Sequence, residues 1–268
     1  MKLAEARVAL RPRSALELLD LGLKLAMREF GRLYFKLGVL TVVPAWGLTL
    51  ALRWSFEWEW SDIWMLALLM SSVLQGVFTI AAGRMMFAEE PPLREIFGAF
   101  ARRLPAYLVA LILVWLLLGI GLLLAVFVVP ILWVWGRIAH VHEACLLEQA
   151  GPFAALKRGS DISSDATLGT GLLLVAMSLA GAGFIYVAEA FINVGLLDFM
   201  LQLGYPFGSL AEEGGSAAAL LGLFLAVPYW STVRFLAYID RRTRRDGWDI
   251  QLRFMTLEQD DEQEGEGA

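Results

Sequence analysis

Both histidines of the chain, His140 and His142, stand beside Glu143, Glu148 and the lone cysteine, Cys145. Imidazole, carboxylate and thiolate are the ligands of Zn2+. On a helix, His140 and Glu143 would share a face because they are three residues apart. His142 points away from that face, and no second ligand pair stands elsewhere at a zinc-site spacing. The cluster therefore reads as the polar end of a membrane helix entering the headgroups, with no metal and no cofactor.

Three further groups could carry chemistry. Glu189 and Asn193, one turn apart, are candidates for a transport pathway. Ser71, Ser72, Gln75 and Thr79 make a polar patch within an apolar stretch, either lining a path or hydrogen-bonding neighbouring helices. The segment Tyr238 to Leu252 holds Asp240, Arg241, Arg242, Arg244, Arg245 and Asp249. Asp240 and Arg244 are spaced to pair on a helix, and the cluster reads as a stop-transfer signal that attracts anionic lipid or as a dock for a cytoplasmic partner. No nucleophile with its base, phosphate loop or nucleotide-binding pattern is present, so the expectation is no enzyme activity and no nucleic acid. No span carries an ionisable residue at its middle by this reading, which argues against a pump.

The elements that position these residues follow from hydropathy. The 268 residues are 58% hydrophobic and 18% charged, and mean hydropathy is +0.62. Apolar stretches of helix-spanning length fall at about 33–52, 63–83, 105–125, 127–147, 168–189 and 217–239. The pattern predicts an all-α, polytopic fold with six transmembrane helices, since a barrel would show short alternating strands. A tight turn is expected near Gly119 and Gly121, with Pro130 kinking or breaking the next helix. Of the 22 Lys and Arg residues only Arg53 falls on the side that carries Glu57, Glu59, Asp62, Glu189, Asp198, Glu212 and Glu213. The positive-inside rule puts both termini in the cytoplasm, and Trp54, Trp58, Trp60 and Trp64 read as an aromatic belt at the opposite interface.

The first 30 residues are too charged for a cleavable signal peptide. The pattern divides the chain into a 1–32 cytoplasmic segment with an interfacial helix, a 33–239 membrane domain, and a 240–268 tail that is basic and then acidic. Ser14 and Glu17 form a capping-box pair ahead of an amphipathic stretch whose apolar stripe is Leu16, Leu19, Leu23, Met27 and Phe30. Similar stretches follow Pro91-Pro92, with Leu93, Ile96, Phe97 and Phe100, and follow Pro152. A threefold repeat of interfacial helix plus hairpin is therefore expected. Ala218, Gly222 and Ala226, and the glycines and alanines of 168–189, predict close helix packing.

Three stretches carry a resemblance. They are Arg11-Pro-Arg-Ser-Ala-Leu-Glu-Leu-Leu-Asp-Leu-Gly, Leu147-Glu-Gln-Ala-Gly-Pro-Phe-Ala-Ala-Leu-Lys-Arg-Gly-Ser, and Tyr238 to Leu252. Their order resembles a bacterial family of six-span proteins similar to the membrane domain found ahead of the catalytic domain in some glycerophosphoryl diester phosphodiesterases. Gly159 departs from that pattern, which places Ser directly after the Lys-Arg pair. The resemblance implies the bacterial inner membrane and brings no established activity for the stand-alone form, and no hydrolase domain is expected. The expected function is a non-catalytic scaffold or accessory subunit that binds membrane lipid or a protein partner through its basic cytoplasmic face. A permease for a small solute or lipid, with Gln75, Glu189 and Asn193 as pathway residues, is the alternative.

Overall fold

The computed structural model describes residues 13–86, 91–123 and 128–246. Among them the chain is all helical: α1 (Ala15–Lys24), α2 (Gly31–Ser55), α3 (Trp60–Met85), α4 (Leu93–Leu123), α5 (Val128–Arg137), α6 (Val141–Leu146), α7 (Pro152–Ile162), α8 (Thr167–Ala188) and α9 (Ala217–Asp246). Widened π turns extend α1 over Leu25–Glu29 and α8 over Glu189–Met200.

Among the described residues five helical runs are long and apolar enough to cross a membrane: Gly31–Ser55, Trp60–Met85, Leu93–Leu123, Ser164–Met200 and Ala217–Arg245. Their outer faces suit lipid. On α4, Leu108, Ile112, Leu116 and Ile120 recur every four residues, and all are exposed. On α2, Phe35, Val39 and Val43 do the same. Stripes of that size on a water-soluble monomer would be an aggregation surface.

Four expectations need correction. The stretch 127–147 is not one spanning helix: α5 stops at Arg137, a turn follows, and α6 is separate. Ten residues rise only about 15 Å, half the hydrocarbon thickness. Pro130 does not break α5, which runs through it from Val128 to Arg137. No turn occurs at Gly119 or Gly121, since α4 continues to Leu123. The amphipathic stretch after Pro92 is no separate element either, because α4 runs through Pro105 as one helix.

α9 is the hub, packing against α3 and α8 and also touching α1 and α2. Small residues let the backbones approach. A Cβ on Gly222 would lie 2.5 Å from the Phe184 carbonyl oxygen of α8, and one on Gly171 would lie 2.5 Å from that of Leu132 in α5. The capping box of α1 is formed: Glu17 N–H donates to Ser14 Oγ at 3.2 Å, and Ser14 N–H to Glu17 Oε2 at 3.1 Å. The helix buries Leu18, Gly22 and Leu25, with Gly22 against Val233 of α9. Of the expected stripe, Leu16, Leu23 and Met27 stay exposed, whereas Phe30 is buried.

Candidate functional site

The polar residues of the basic end are organised by one face of α9. Trp230, Arg234, Tyr238 and Arg242 follow one another at four-residue steps, which stacks them along the helix. Each has a partner across the bundle. Trp230 Nε1 donates to the Met177 carbonyl at 2.8 Å. Arg234 Nε donates to Glu143 Oε1 at 3.3 Å, and its Nη2 bonds the Ala139 carbonyl. Tyr238 donates its hydroxyl to Glu148 Oε1 at 2.5 Å, and Arg242 Nη1 lies 3.1 Å from Tyr238 Oη and 3.5 Å from Glu148 Oε1.

Glu148 is the junction of this face with α7. Arg158 grips it through Nε to Oε2 at 2.9 Å and Nη2 to Oε1 at 3.3 Å. Burial works against the carboxylate charge. The bonds from Arg158 and Tyr238, with the charges of Arg158 and Arg242, outweigh it and hold the Glu148 carboxyl below its ordinary value.

α6 is drawn inside the bundle instead of emerging into headgroups. His140, His142, Glu143 and Cys145 are all buried, and Glu143 is wholly excluded from solvent. The histidines and glutamate do not converge. His140 stacks edgewise on Tyr238 at 6.1 Å, and Glu143 turns to Arg234. His142 Nδ1 lies 2.8 Å from Tyr107 Oη. No set of three or more metal-binding side chains comes together among the described residues.

The Tyr107 bonds fit one His142 tautomer. Tyr107 donates its one hydroxyl proton to the Ser72 carbonyl, 2.8 Å away, which can only accept. In that arrangement a neutral His142 carries its hydrogen on Nδ1 and donates it to Tyr107, with Nε2 as the acceptor.

Beside the α9 face opens a cavity of about 640 Å³ between α3, α4 and α9. Its floor is apolar, with Ile80, Ala99, Leu147, Phe235 and Ile239, and its rim carries Arg84, Arg102, Arg103 and Arg242. Arg84 pairs with Glu95. Arg103 donates to the carbonyl of Gln149 at 3.0 Å and to its Oε1 at 2.6 Å. Arg102 is exposed. Four guanidiniums over an apolar floor can hold a phosphate or carboxylate head with its tail inside. This rim went unread in the sequence, which places Arg84, Arg102 and Arg103 between the second and third apolar stretches and Arg242 in the tail segment; the Arg102-Arg103 pair was the available signal.

The expected tail cluster divides among several tasks. Asp240 accepts from the Arg13 N–H at 2.8 Å and from Arg244 Nε at 2.9 Å, and Arg244 Nη2 returns to the Arg13 carbonyl at 2.7 Å. The anticipated Asp240–Arg244 pair thus clasps the start of the described chain. Arg242 turns to the cavity, Arg245 reaches Ser164 at 3.3 Å, and Arg241 is half-buried near Gly169. Asp249 and the acidic tail lie outside the described residues.

At the other end Glu189 and Asn193 do meet. Asn193 Nδ2 donates to Glu189 Oε1 and to the Gly208 carbonyl, both at 2.9 Å. Glu189 also accepts from the Leu210 N–H at 3.0 Å and from Ser216 Oγ. These bonds tie the 201–216 connection under the π-turned end of α8. The tryptophans join in. Trp60 is buried against Gly208 and Gly215 and donates to Glu213 Oε2 at 3.1 Å, and Trp64 donates to the Gly214 carbonyl at 2.8 Å. Only Trp54 and Trp58 of the expected belt remain exposed. Arg53, the lone cation of this end, lies over the Trp60 ring at 5.1 Å.

Gln75 sits apart from both ends, beside a smaller cavity with Ser71 and Ser72. Compared with known protein families, curated proteins and solved structures, the chain matches none.

Proposed function

We propose that this chain is a non-catalytic, six-crossing protein of a bacterial inner membrane that binds anionic phospholipid at its basic end and presents that end to a protein partner. The observation that carries the reading is the 640 Å³ cavity with Arg84, Arg102, Arg103 and Arg242 at its mouth. An anionic headgroup would bridge the guanidiniums while an acyl chain lies over Phe235 and Ile239. Arginine suits this role because its planar fork matches phosphate oxygens. The cytoplasmic setting rests on the charge asymmetry of the loops, and α5 with the turn into α6 would supply the fourth crossing. The threefold repeat and the likeness to phosphodiesterase membrane domains belong to the same reading.

Purification in mild detergent with lipid mass spectrometry tests it. The wild type is expected to retain anionic phospholipid, and Arg102→Ala with Arg103→Ala to lose most of it. Equal retention by both proteins would overturn the lipid reading. A periplasm-active reporter that works when fused after residue 250 would overturn the topology.

A permease is the second reading, favoured by the interior cavity that Gln75 lines. Glu189 and Asn193 lend it less, since loop bonds occupy both. Solute flux in liposomes that fails in Gln75→Leu would support it.

A further inference from the structure

The smaller cavity, about 160 Å³, lies midway along α3 and is independent of the arginine-rimmed one. Its polar wall is Ser71, Gln75, His142 and Arg234. Ser71 is 1% exposed, yet its Oγ has no partner, and neither has Gln75 Oε1. Buried polar atoms left unpaired cost about 1–3 kcal/mol each, so two facing one cavity mark a place where something else completes the bonding. The remaining wall includes Trp115, Trp135 and Trp230. One side is open, where Leu68 and Trp115 are exposed among the apolar stripes of α3 and α4.

The wall chemistry restricts the occupant. Glu143 and Ala139 engage Nε and Nη2 of Arg234, which leaves Nη1 as a donor. Ser71 Oγ can donate or accept, while His142 Nε2 and Gln75 Oε1 accept. A cation would meet the Arg234 charge. An anion would meet the lone pair of His142 and the carboxylate of Glu143, which already balances Arg234. The volume suits a head about the size of five waters. The indole walls and the apolar mouth suit an apolar tail.

We propose that this cavity binds the uncharged, oxygen-bearing head of a membrane-dissolved amphiphile, one with both a hydroxyl to donate and an oxygen to accept. Arg234 and Ser71 donate to its oxygens, Gln75 and His142 accept from its hydroxyl, and the tail leaves past Leu68 and Trp115. Two lipid sources share that chemistry, a diacylglycerol and an isoprenoid-type quinol.

The test titrates purified protein with dioctanoylglycerol, a decyl-substituted benzoquinol and glycerol, read by native mass spectrometry. A saturating one-to-one adduct with either amphiphile is expected, at least tenfold weaker in Gln75→Leu and in Ser71→Ala. Which amphiphile binds identifies the source. Anionic phospholipid retained at the basic end by the same variants would show them folded and keep the two sites distinguishable. Ser71→Ala removes a hydroxyl without adding bulk, so it serves if Gln75→Leu fails to fold. No one-to-one adduct, equal adducts in both variants, or glycerol competing as well as the amphiphiles would overturn the proposal.

Discussion

Arg234 of α9 and Glu143 of α6 meet with Nε 3.3 Å from Oε1, the arginine side chain 13% exposed and the glutamate not at all. Neither charge could sit alone there. Glu143 Oε2 has no partner of its own, so the carboxylate depends on this one guanidinium. Removing one member of a buried pair commonly costs about 3–5 kcal/mol because the survivor stays charged and unpaired. Glu143→Leu and Arg234→Met are each expected to lower the thermal unfolding midpoint sharply. The double variant should recover much of the loss, which a double-mutant cycle on unfolding in detergent would measure. Simple additivity of the two losses would refute the coupling.

The pH dependence centres on Glu148. Its carboxyl titrates below the ordinary carboxylate value when folded, through bonds from Arg158 and Tyr238 and the charges of Arg158 and Arg242 that overcome the effect of burial. A depressed folded value means that the carboxylate contributes stability above its unfolded value and loses it as pH falls through the folded one. Wild-type stability should therefore be flat near neutrality and decline in the acid range below the usual glutamate value. Glu148→Gln is expected to be less stable at pH 7 and to show a shallower acid decline. Hydrogen bonds to charged groups contribute about 1.5–3 kcal/mol each, so the difference at pH 7 is within reach of thermal scans. Parallel acid declines in the two proteins would count against Glu148 as the titrating group.

Local signals in the chain translated directly into structure, whereas distant pairings did not. Ser14 and Glu17 are three residues apart, and their capping box needs nothing else. The five long apolar runs were visible because length and hydropathy alone decide them. The break after Arg137 went unread, although Arg137, His140, His142 and Glu143 make the second half of 127–147 more polar than the neighbouring runs. It depends on packing, with Gly136 so close to the Thr167 carbonyl of α8 that a Cβ there would sit 2.0 Å from the oxygen. Arg234 reads in sequence as one more cytoplasmic cation. Its partner is 91 positions away, and only the four-residue recurrence of Trp230, Arg234, Tyr238 and Arg242 hinted at a shared face. The expected span 105–125 starts at Pro105, yet α4 passes through it. Membrane helices tolerate proline where neighbouring groups and local adjustment satisfy the freed carbonyl.

Two glycines separate packing from mere composition. Gly222 faces the α8 backbone, with the Phe184 carbonyl 2.5 Å and the Ile185 Cα 2.7 Å from where a Cβ would stand, while Gly183 has nothing within 4 Å. Gly222→Leu should push α8 from α9 and cost at least about 1–3 kcal/mol, the usual range for overpacking. Gly183→Leu should leave the unfolding midpoint nearly unchanged. The comparison is internal, since both changes add the same side chain to helices of one interface. Equal effects would mean that the α8–α9 contact is looser than the structure has it.

Glu189 distinguishes a clamp from a pathway residue. Its two oxygens receive Asn193, the Leu210 N–H and Ser216, and Ser216 Oγ in turn accepts the Ala219 N–H at 2.9 Å near the start of α9. One carboxylate thus holds the end of α8, the 201–216 connection and the entry to α9. Glu189→Ala removes every one of these acceptors at once, and a buried donor left unmade costs about 1–3 kcal/mol. The expected result is faster proteolytic cleavage within 201–216, with the α9 face and the retained lipid at the basic end unchanged. Glu189→Gln keeps the shape and one acceptor oxygen, so its cleavage rate should fall between the two. A pathway role predicts the opposite pattern, in which Glu189→Gln abolishes flux while the connection stays as resistant to protease as in the wild type.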